Sequence, residues 1–244
     1  MVEKTFIMKH QEELKSFYAP YFTKESDLDT FVSDAFDYEN GSLAKRQMLY
    51  QVQRFVSLAN DIDKLRPARD CLRMLFIKIC LESLCSLSGY TSKQKSQFYA
   101  KFIGFFSEQG KQYILSNFIL SGFEDEYCGH VYEAHHDLTL DDFFEIIKVT
   151  RDMVVHEGIY WEMQFFAHDD DSTWIATIRT KERLLKSYTY QSKDKREITY
   201  CFETTLQYEM FIYYFIEACV RFIEKYWHSL NNKNVLKKLV CRGI

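Results

Sequence analysis

The chain has 244 residues, of which only 8 are Gly and 2 are Pro, roughly 4% where an average chain carries roughly 12%. Because β-sandwiches and doubly wound α/β folds use these residues in frequent turns, both classes are disfavoured and helices are expected. The 47% apolar and 17% aromatic fractions exclude a disordered chain. The net charge of −4 does not indicate a nucleic-acid partner, although one face can still be locally positive.

The cysteine content and the hydropathy of the chain indicate its cellular compartment. The seven cysteines, at positions 71, 80, 85, 128, 201, 219 and 241, form no CxxC pair, which favours free thiols in a reducing cytosol. The N-terminus lacks the apolar core of a signal peptide. The most apolar run, Met210 to Phe222, is too short to span a bilayer and contains Glu217 and Arg221. We therefore expect a soluble, cytoplasmic protein.

The first third of the chain is predicted to be helical. Residues 1–66 are expected to form two or three amphipathic helices, the clearest from Leu43 to Ile62. A further helix follows Pro67, with apolar residues at helical spacing until Gly89, a natural C-terminal cap. Thr91 or Ser92 can cap the next helix, which is predicted to continue through a phenylalanine-rich face to about Phe118. That aromatic face is expected to be core.

The second half contains a change of period. Ser121 to Asp137 is polar and is predicted to be a loop, after which Thr139 and Asp142 form a capping box for a helix reaching Val155. Three segments then favour strands because they are rich in Thr, Tyr and Ile: Trp174 to Arg179, Leu184 to Gln191 and Glu197 to Thr204. The helical period returns from Leu206 to about Trp227.

Arg151 occupies an unexpected position on the helix that begins at Thr139. At 100° per residue it falls between Phe144 and Ile147, in the middle of the apolar stripe. Such a charge is costly unless it is paired or lines a cleft. His156 lies one turn after Asp152, which could hydrogen-bond one imidazole nitrogen. Arg151 and His156 are roughly 140° apart on a regular helix, so a shared site requires a reaching arginine, an irregular helix near Gly158, or a second subunit.

The segment Arg151-Asp-Met-Val-Val-His156 resembles the R-x4-6-H motif of the HEPN superfamily. These are all-α proteins known chiefly as metal-independent ribonucleases of toxin-antitoxin, abortive-infection and CRISPR systems. Arg69 to Cys85 is similar to an early HEPN core helix, and the resemblance covers roughly residues 67 to 229. The implied fold is mainly α: an N-terminal helical extension (1–66), a HEPN-like helical bundle (67–230) with a small antiparallel β insertion at about 172–204, and a C-terminal tail (231–244).

The match departs from the family pattern in two ways. The residue after the arginine is Asp152, where the family more often has Asn, and the β-rich segment would be an insertion before the last helix. Arg221 and His228 form a second match, R-x6-H, but the bare spacing is expected about once by chance. The x4 spacing followed by an Asp favours Arg151. The alternative interpretation of this helix is a surface histidine beside a salt-bridged arginine.

The resemblance implies cleavage without a metal ion or cofactor. RNA supplies its own nucleophile, the 2′-OH, and the expected products are a 2′,3′-cyclic phosphate and a 5′-OH. His156 would act as acid or base, Arg151 would bind the scissile phosphate, and Asp152 would orient the imidazole. Family members usually form homodimers in which two motifs face each other. An RNA substrate, a homodimer, and an antitoxin or regulatory protein are therefore the expected partners, with no membrane.

Several other functions remain open on the residues alone. A non-catalytic HEPN-like module would bind RNA, a nucleotide or a protein without cutting. A metal-dependent hydrolase could use Cys128, His130, His135 and His136 beside Glu133, although their spacing fits no common zinc pattern. His168 with Asp169, Asp170 and Asp171 could bind a hard cation, although such a run is more often a solvated loop. Glu82 could face the motif as an accessory residue or pair with a lysine such as Lys78.

Overall fold

A computed structural model describes residues 2–37, 43–125, 130–158, 163–166, 174–180 and 198–230. The fold is mainly α with a small antiparallel sheet, which confirms the predicted class. Within the described residues the α-helices are α1 (Val2–Tyr18), α2 (Glu25–Ser33), α3 (Leu43–Leu65), α4 (Asp70–Leu87), α5 (Lys95–Ile103), α6 (Glu108–Ser116), α7 (Leu140–Asp152) and α8 (Tyr208–Leu230). Short 3-10 turns cover Ala19–Tyr21, Asp34–Phe36 and Ser92–Gln94.

The sheet is larger than the sequence predicted. It contains β1 (Phe118–Asp125), β2 (His130–His136), β3 (Trp174–Thr180) and β4 (Ile198–Thr204), in the antiparallel order β2-β1-β4-β3. The expectation of strands near β3 and β4 is confirmed, whereas the loop predicted over 121–137 is wrong because that segment supplies β1 and β2. The third predicted strand, 184–191, lies outside the described residues.

Long-range pairing explains why the polar segment after α6 is a strand. β1 is central in the sheet and pairs with β4, so Phe118 lies opposite Thr204, more than eighty residues later. The register shifts between Leu120 and Gly122, where a bulge places Ser121; its hydroxyl donates to the Cys201 carbonyl at 3.0 Å. Phe118 and Leu120 are fully buried. Pairing on both edges and burial therefore override the polar local composition.

The long helix predicted from Ser92 to Phe118 is wrong because the chain breaks at Gly104. Helix α5 ends at Ile103, and the amides of Phe105 and Phe106 turn back to carbonyls three residues earlier. Ser107 then caps α6: its hydroxyl accepts from the Gly110 amide at 3.1 Å and donates to Glu217 at 2.7 Å. This local cap, bound to α8, starts a new helix.

A single buried cluster extends from Leu14 to Ile223. Of the predicted phenylalanine face, Phe98, Phe102 and Phe106 are buried in this cluster, and Phe105 is partly buried against it. The N-terminal helices pack on this same core, since the Tyr18 hydroxyl donates to the Leu49 carbonyl at 2.9 Å and α3 runs along α4. Helices α4 and α5 in turn support α7. Residues 231–244, predicted to be a tail, lie outside the described part.

None of the helices in the described part of the chain is both long enough and apolar enough to cross a membrane.

Candidate active site

The motif helix α7 starts as the sequence predicted. The Thr139 hydroxyl accepts from the Asp142 amide at 3.3 Å, and the Asp142 carboxylate accepts from the Thr139 amide at 2.9 Å. This capping box satisfies two of the amides that a helix leaves without partners. Phe143, Phe144 and Ile147 then face the core. The first three turns are therefore a rigid, buried support for Arg151.

The end of α7 is irregular within the motif. Met153–Glu157 form a π-helical turn, and Gly158 ends it in the left-handed region at φ 69°. Of the three arrangements that the sequence left open, the irregular helix near Gly158 is present, as a wider turn that starts five residues earlier. A π turn holds more residues than an α turn, so each residue advances less around the axis. Arg151 and His156 are consequently closer in angle than the roughly 140° of a regular helix.

Arg151 is partly buried and only partly satisfied. Its side chain is 27% exposed, and one guanidinium nitrogen donates to the Asp152 carboxylate at 2.6 Å. The Nε atom is buried and has no hydrogen-bond partner among the described residues. A buried donor without a partner is uncommon and costly in a native protein. The guanidinium therefore retains binding capacity that the described part of the chain does not use.

His156 lies at the surface and does not contact Asp152 as expected. Its imidazole is exposed, and within the described ranges it forms no hydrogen bond or ion pair. Asp152 instead pairs with Arg151. The orienting hydrogen bond predicted from the one-turn spacing is absent because the adjacent guanidinium occupies the carboxylate. The arginine–aspartate pair and the surface histidine also match the alternative interpretation of this helix.

A buried lysine–tyrosine pair lies near Arg151, and the sequence analysis missed it. Lys78 on α4 is 4% exposed and donates to the Tyr99 hydroxyl on α5 at 2.5 Å. Burial lowers the pKa of Lys78 to about 8 and raises that of Tyr99, and Arg151 opposes the Tyr99 shift in part. The sequence feature that could have indicated this pair is Lys78 itself, a charged residue in the middle of an apolar run of α4.

Two ion pairs lie on the outer side of the Lys78–Tyr99 pair. Glu82 accepts from Lys95 at 3.0 Å and Glu145 from Lys148 at 3.2 Å. One of the two predicted roles of Glu82 was to pair with a lysine. Glu82 does pair with a lysine, but its partner is Lys95 and not Lys78. Among the described residues Glu82 forms no hydrogen bond or ion pair with Arg151, Asp152 or His156. The surface beside Arg151 is consequently a mixture of both charges and not a basic patch.

The chain beyond the π turn returns to α4 and is anchored there. The Phe165 amide donates to the buried Asp70 carboxylate at 2.8 Å, and Asp70 also accepts from Arg73 at 3.0 Å. Cys71 contacts the backbone of Met163 through its sulfur. Burial raises the pKa of Asp70 in spite of these donors. These contacts hold the segment that follows the motif turn against α4.

The other candidate residues lie wholly or partly outside the description. Cys128 and the run 168–171 lie outside the described residues, and His130, His135 and His136 belong to strand β2. No group of three metal-binding side chains is found among the residues that were described. Arg221 of the second motif match pairs with Glu217 at 2.7 Å on α8, and the His228 side chain is outside the description.

Comparison of the chain with protein-family models, with curated proteins and with solved structures finds no match. The HEPN resemblance therefore depends on the sequence alone.

Proposed function

We propose that the protein is a metal-independent endoribonuclease of HEPN type that cleaves RNA with Arg151 and His156. The observation that carries the proposal is the π-helical turn Met153–Glu157, which starts two residues after Arg151 and includes His156. Such turns occur frequently at functional sites, because they cost regular hydrogen bonds and reposition side chains. The Arg151 side chain is 27% exposed, and its guanidinium supplies donors suited to a phosphate.

The proposed chemistry requires no group beyond this chain and the RNA. The exposed imidazole of His156 removes the 2′-OH proton or protonates the 5′-oxygen leaving group. The resulting 2′-oxyanion attacks the adjacent phosphorus, and the bond to the 5′-oxygen breaks. Arg151 neutralises the charge that develops on the phosphoryl oxygens. The products are a 2′,3′-cyclic phosphate and a 5′-OH.

Asp152 has a different part in this proposal from the one its spacing suggested. Its carboxylate holds the Arg151 guanidinium at 2.6 Å and so positions it before the RNA binds. A phosphate then competes with Asp152 for the same cation. We propose that a second subunit supplies the complementary acid or base, as the homodimers of the family do.

The setting that we propose is a toxin-antitoxin, abortive-infection or other anti-phage system, with an antitoxin or regulatory protein that restrains the nuclease. The proposed compartment is the cytoplasm. No disulfide joins the five cysteines in the described residues, at positions 71, 80, 85, 201 and 219, which is typical of a reducing compartment.

Cleavage of a labelled RNA by the purified full chain tests the nuclease. We expect cyclic phosphate ends by mass spectrometry, unchanged rates in EDTA, and loss of activity on His156→Ala and on Arg151→Ala. Arg221→Ala is the matched control, because Arg221 belongs to the second motif match and is likewise paired with a carboxylate. Activity that disappears with EDTA, or that survives His156→Ala, contradicts the proposal.

A non-catalytic RNA-, nucleotide- or protein-binding module is the second candidate, and the Arg151–Asp152 ion pair favours it. A carboxylate at the guanidinium opposes an approaching phosphate, and Asn is commoner at this position of the motif. Asp152→Asn separates the two functions, since it removes the charge without changing the side-chain size. The nuclease proposal expects cleavage to be maintained or increased. If the protein is a binding module, its RNA affinity should depend on Arg151. Neither the parent nor the Asp152→Asn variant should then produce a cyclic phosphate.

A further inference from the structure

A groove lined by other helices than α7 combines cations with aromatic rings. It has a volume of about 960 Å³ and lies where α2, its following 3-10 turn and α3 meet α5 and α8. None of its lining residues belongs to α7 or to the π turn. Pockets of about 300–1,000 Å³ that lie between packed units are common ligand sites. The groove is therefore separate from the proposed nuclease centre and large enough for a small organic ligand.

Two lysines in this groove lack carboxylate partners. Lys101 on α5 and Lys225 on α8 are exposed, and neither forms an ion pair with any described residue. Their ammonium groups lie over aromatic rings instead: Lys101 is 4.5 Å from the Tyr226 centroid and Lys225 is 5.7 Å from the Phe105 centroid. Cation–ring contacts at exposed positions are weak, about 0.5–1 kcal/mol. Both ammonium groups can therefore move to an anion at little cost.

The remaining charges in the groove are already paired or negative. Lys45 is 3% exposed, with its ammonium 3.4 Å from Asp34 and 4.9 Å from the Phe31 centroid. Burial lowers the pKa of Lys45, and Asp34 opposes that shift. Asp27 and Glu224 also line the groove and place carboxylates near the two free lysines. A long polyanion would meet these carboxylates, whereas a small ligand with a localised charge can avoid them.

The aromatic rings supply a second type of contact. Tyr226 and Phe105 line the groove, and both pack on the fully buried Phe222, with ring centroids at 4.9 Å and 5.3 Å. They are consequently held in place by the core. When the lysines move to an anion, these rings become available to a planar group, and base–ring stacking contributes about 1–3 kcal/mol.

We infer that this groove binds a nucleoside phosphate. The phosphate lies between Lys101 and Lys225, the base packs on Tyr226 or Phe105, and the carboxylates of Asp27 and Glu224 accept from the sugar hydroxyls or the base amino group. A nucleoside alone lacks the anion, and inorganic phosphate lacks the ring. The combination of both features in one groove specifies the ligand class.

Titration calorimetry on the full chain tests the inference with the 5′-mono- and triphosphates of adenosine, guanosine, cytidine and uridine. At least one is expected to bind with a dissociation constant of about 1–100 μM. The matching nucleoside and inorganic triphosphate should each bind about tenfold or more weakly. The double variant Lys101→Gln with Lys225→Gln should weaken nucleotide binding by about tenfold or more, because each lysine contributes one charged contact.

Lys93→Gln is the matched control, since Lys93 is exposed on the 3-10 turn before α5 and does not line the groove. Equal binding of inorganic triphosphate and nucleotides would overturn the inference in favour of a simple anion site. Equal binding by the double variant would show that the ligand is held elsewhere. The absence of saturation by every nucleotide would also overturn it, as would tighter binding of a single-stranded RNA through the same two lysines.

Discussion

Helices α4 and α7 both end at a glycine with positive φ, but their last turns differ. Gly89 (φ 80°) closes α4 with two regular bonds: its amide donates to the Ser86 carbonyl at 3.0 Å, and the Tyr90 amide donates to the Cys85 carbonyl at 3.2 Å. Gly158 (φ 69°) instead follows the π turn Met153–Glu157. The first ending is the Schellman motif, which satisfies the final carbonyls.

The difference indicates that the irregularity of α7 does not come from its glycine. The same left-handed residue ends a regular helix in α4, so the extra residue in the last turn of α7 has another origin. Anchors lie on both sides of it, since Phe143 and Phe144 are buried before the turn and Phe165 is bound to Asp70 after it. A π turn contains one residue more than an α turn, and this one lies between the two anchors.

Deletion of Val155 is expected to have the largest effect on the difference between the ends of α4 and α7. Val155 is 49% exposed, so its deletion shortens the turn without opening the core. The last turn should become α-helical, and RNA cleavage should fall by about 100-fold, as for loss of a positioned acid or base. Circular dichroism and the Tm should remain close to those of the parent. Val155→Ala is the control, since it preserves the residue count and should preserve activity. Parent-like cleavage by the deletion variant would show that the π turn is not required.

The anchor after the π turn is expected to have the next largest effect. Asp70→Ala leaves Arg73 buried with only the half-exposed Asp63 as a partner, and it removes the acceptor of the Phe165 amide. Breaking a buried pair in this way costs about 3 kcal/mol of unfolding free energy. Asp63→Ala should cost about 1 kcal/mol or less, because exposed ion pairs contribute little. Urea unfolding measures both, and equal losses would contradict the anchoring role of Asp70.

The buried Lys78, which lies near Arg151, should make the stability of the protein depend on pH. Lys78 has a pKa of about 8 in the folded protein and an ordinary value of 10.5. Above pH 8 the unfolded chain therefore binds more protons at this residue than the folded chain, so the stability should rise with pH. The gain from this residue between pH 7.5 and 9.5 is about 2 kcal/mol.

The double variant Lys78→Met with Tyr99→Phe removes both hydrogen-bond partners together and leaves no buried group unsatisfied. It should lose this increase, which urea titrations at several pH values would detect as a difference from the parent. Lys148→Met is the control, because Lys148 is half-exposed on α7. An identical pH profile for the parent and the double variant would contradict the burial effect.

The two glycines themselves should have the smallest effect. An alanine in the left-handed region costs about 1 kcal/mol, and no atom lies within 4 Å of a Cβ at Gly158, so backbone strain alone operates there. Gly89→Ala and Gly158→Ala should each lower the unfolding free energy by that amount, whereas Asn should be tolerated better. Only Gly158→Ala should also slow RNA cleavage. A stability gain at Gly158 would indicate that its φ is not positive in solution.

Residues that act within one turn could be predicted from the sequence. The capping box of Thr139 and Asp142, the Gly89 cap of α4, and the buried phenylalanine face all follow from neighbours within four residues. The position of Arg151 in an apolar stripe predicted its partial burial for the same reason. These features require only helical spacing and local hydrogen bonding.

Only the tertiary structure decided the features that depend on distant partners. Strand β1 is specified by its pairing with β4, about eighty residues later. The break at Gly104 is specified by the hydrogen bond from Ser107 to Glu217 on α8. The Lys78–Tyr99 pair and the groove require helices that are remote in sequence to pack together. Asp152 binds the adjacent Arg151 and not His156, because the guanidinium occupies its carboxylate. The sequence by itself determined which residue types stand near the motif, and the packing of the helices determined their geometry.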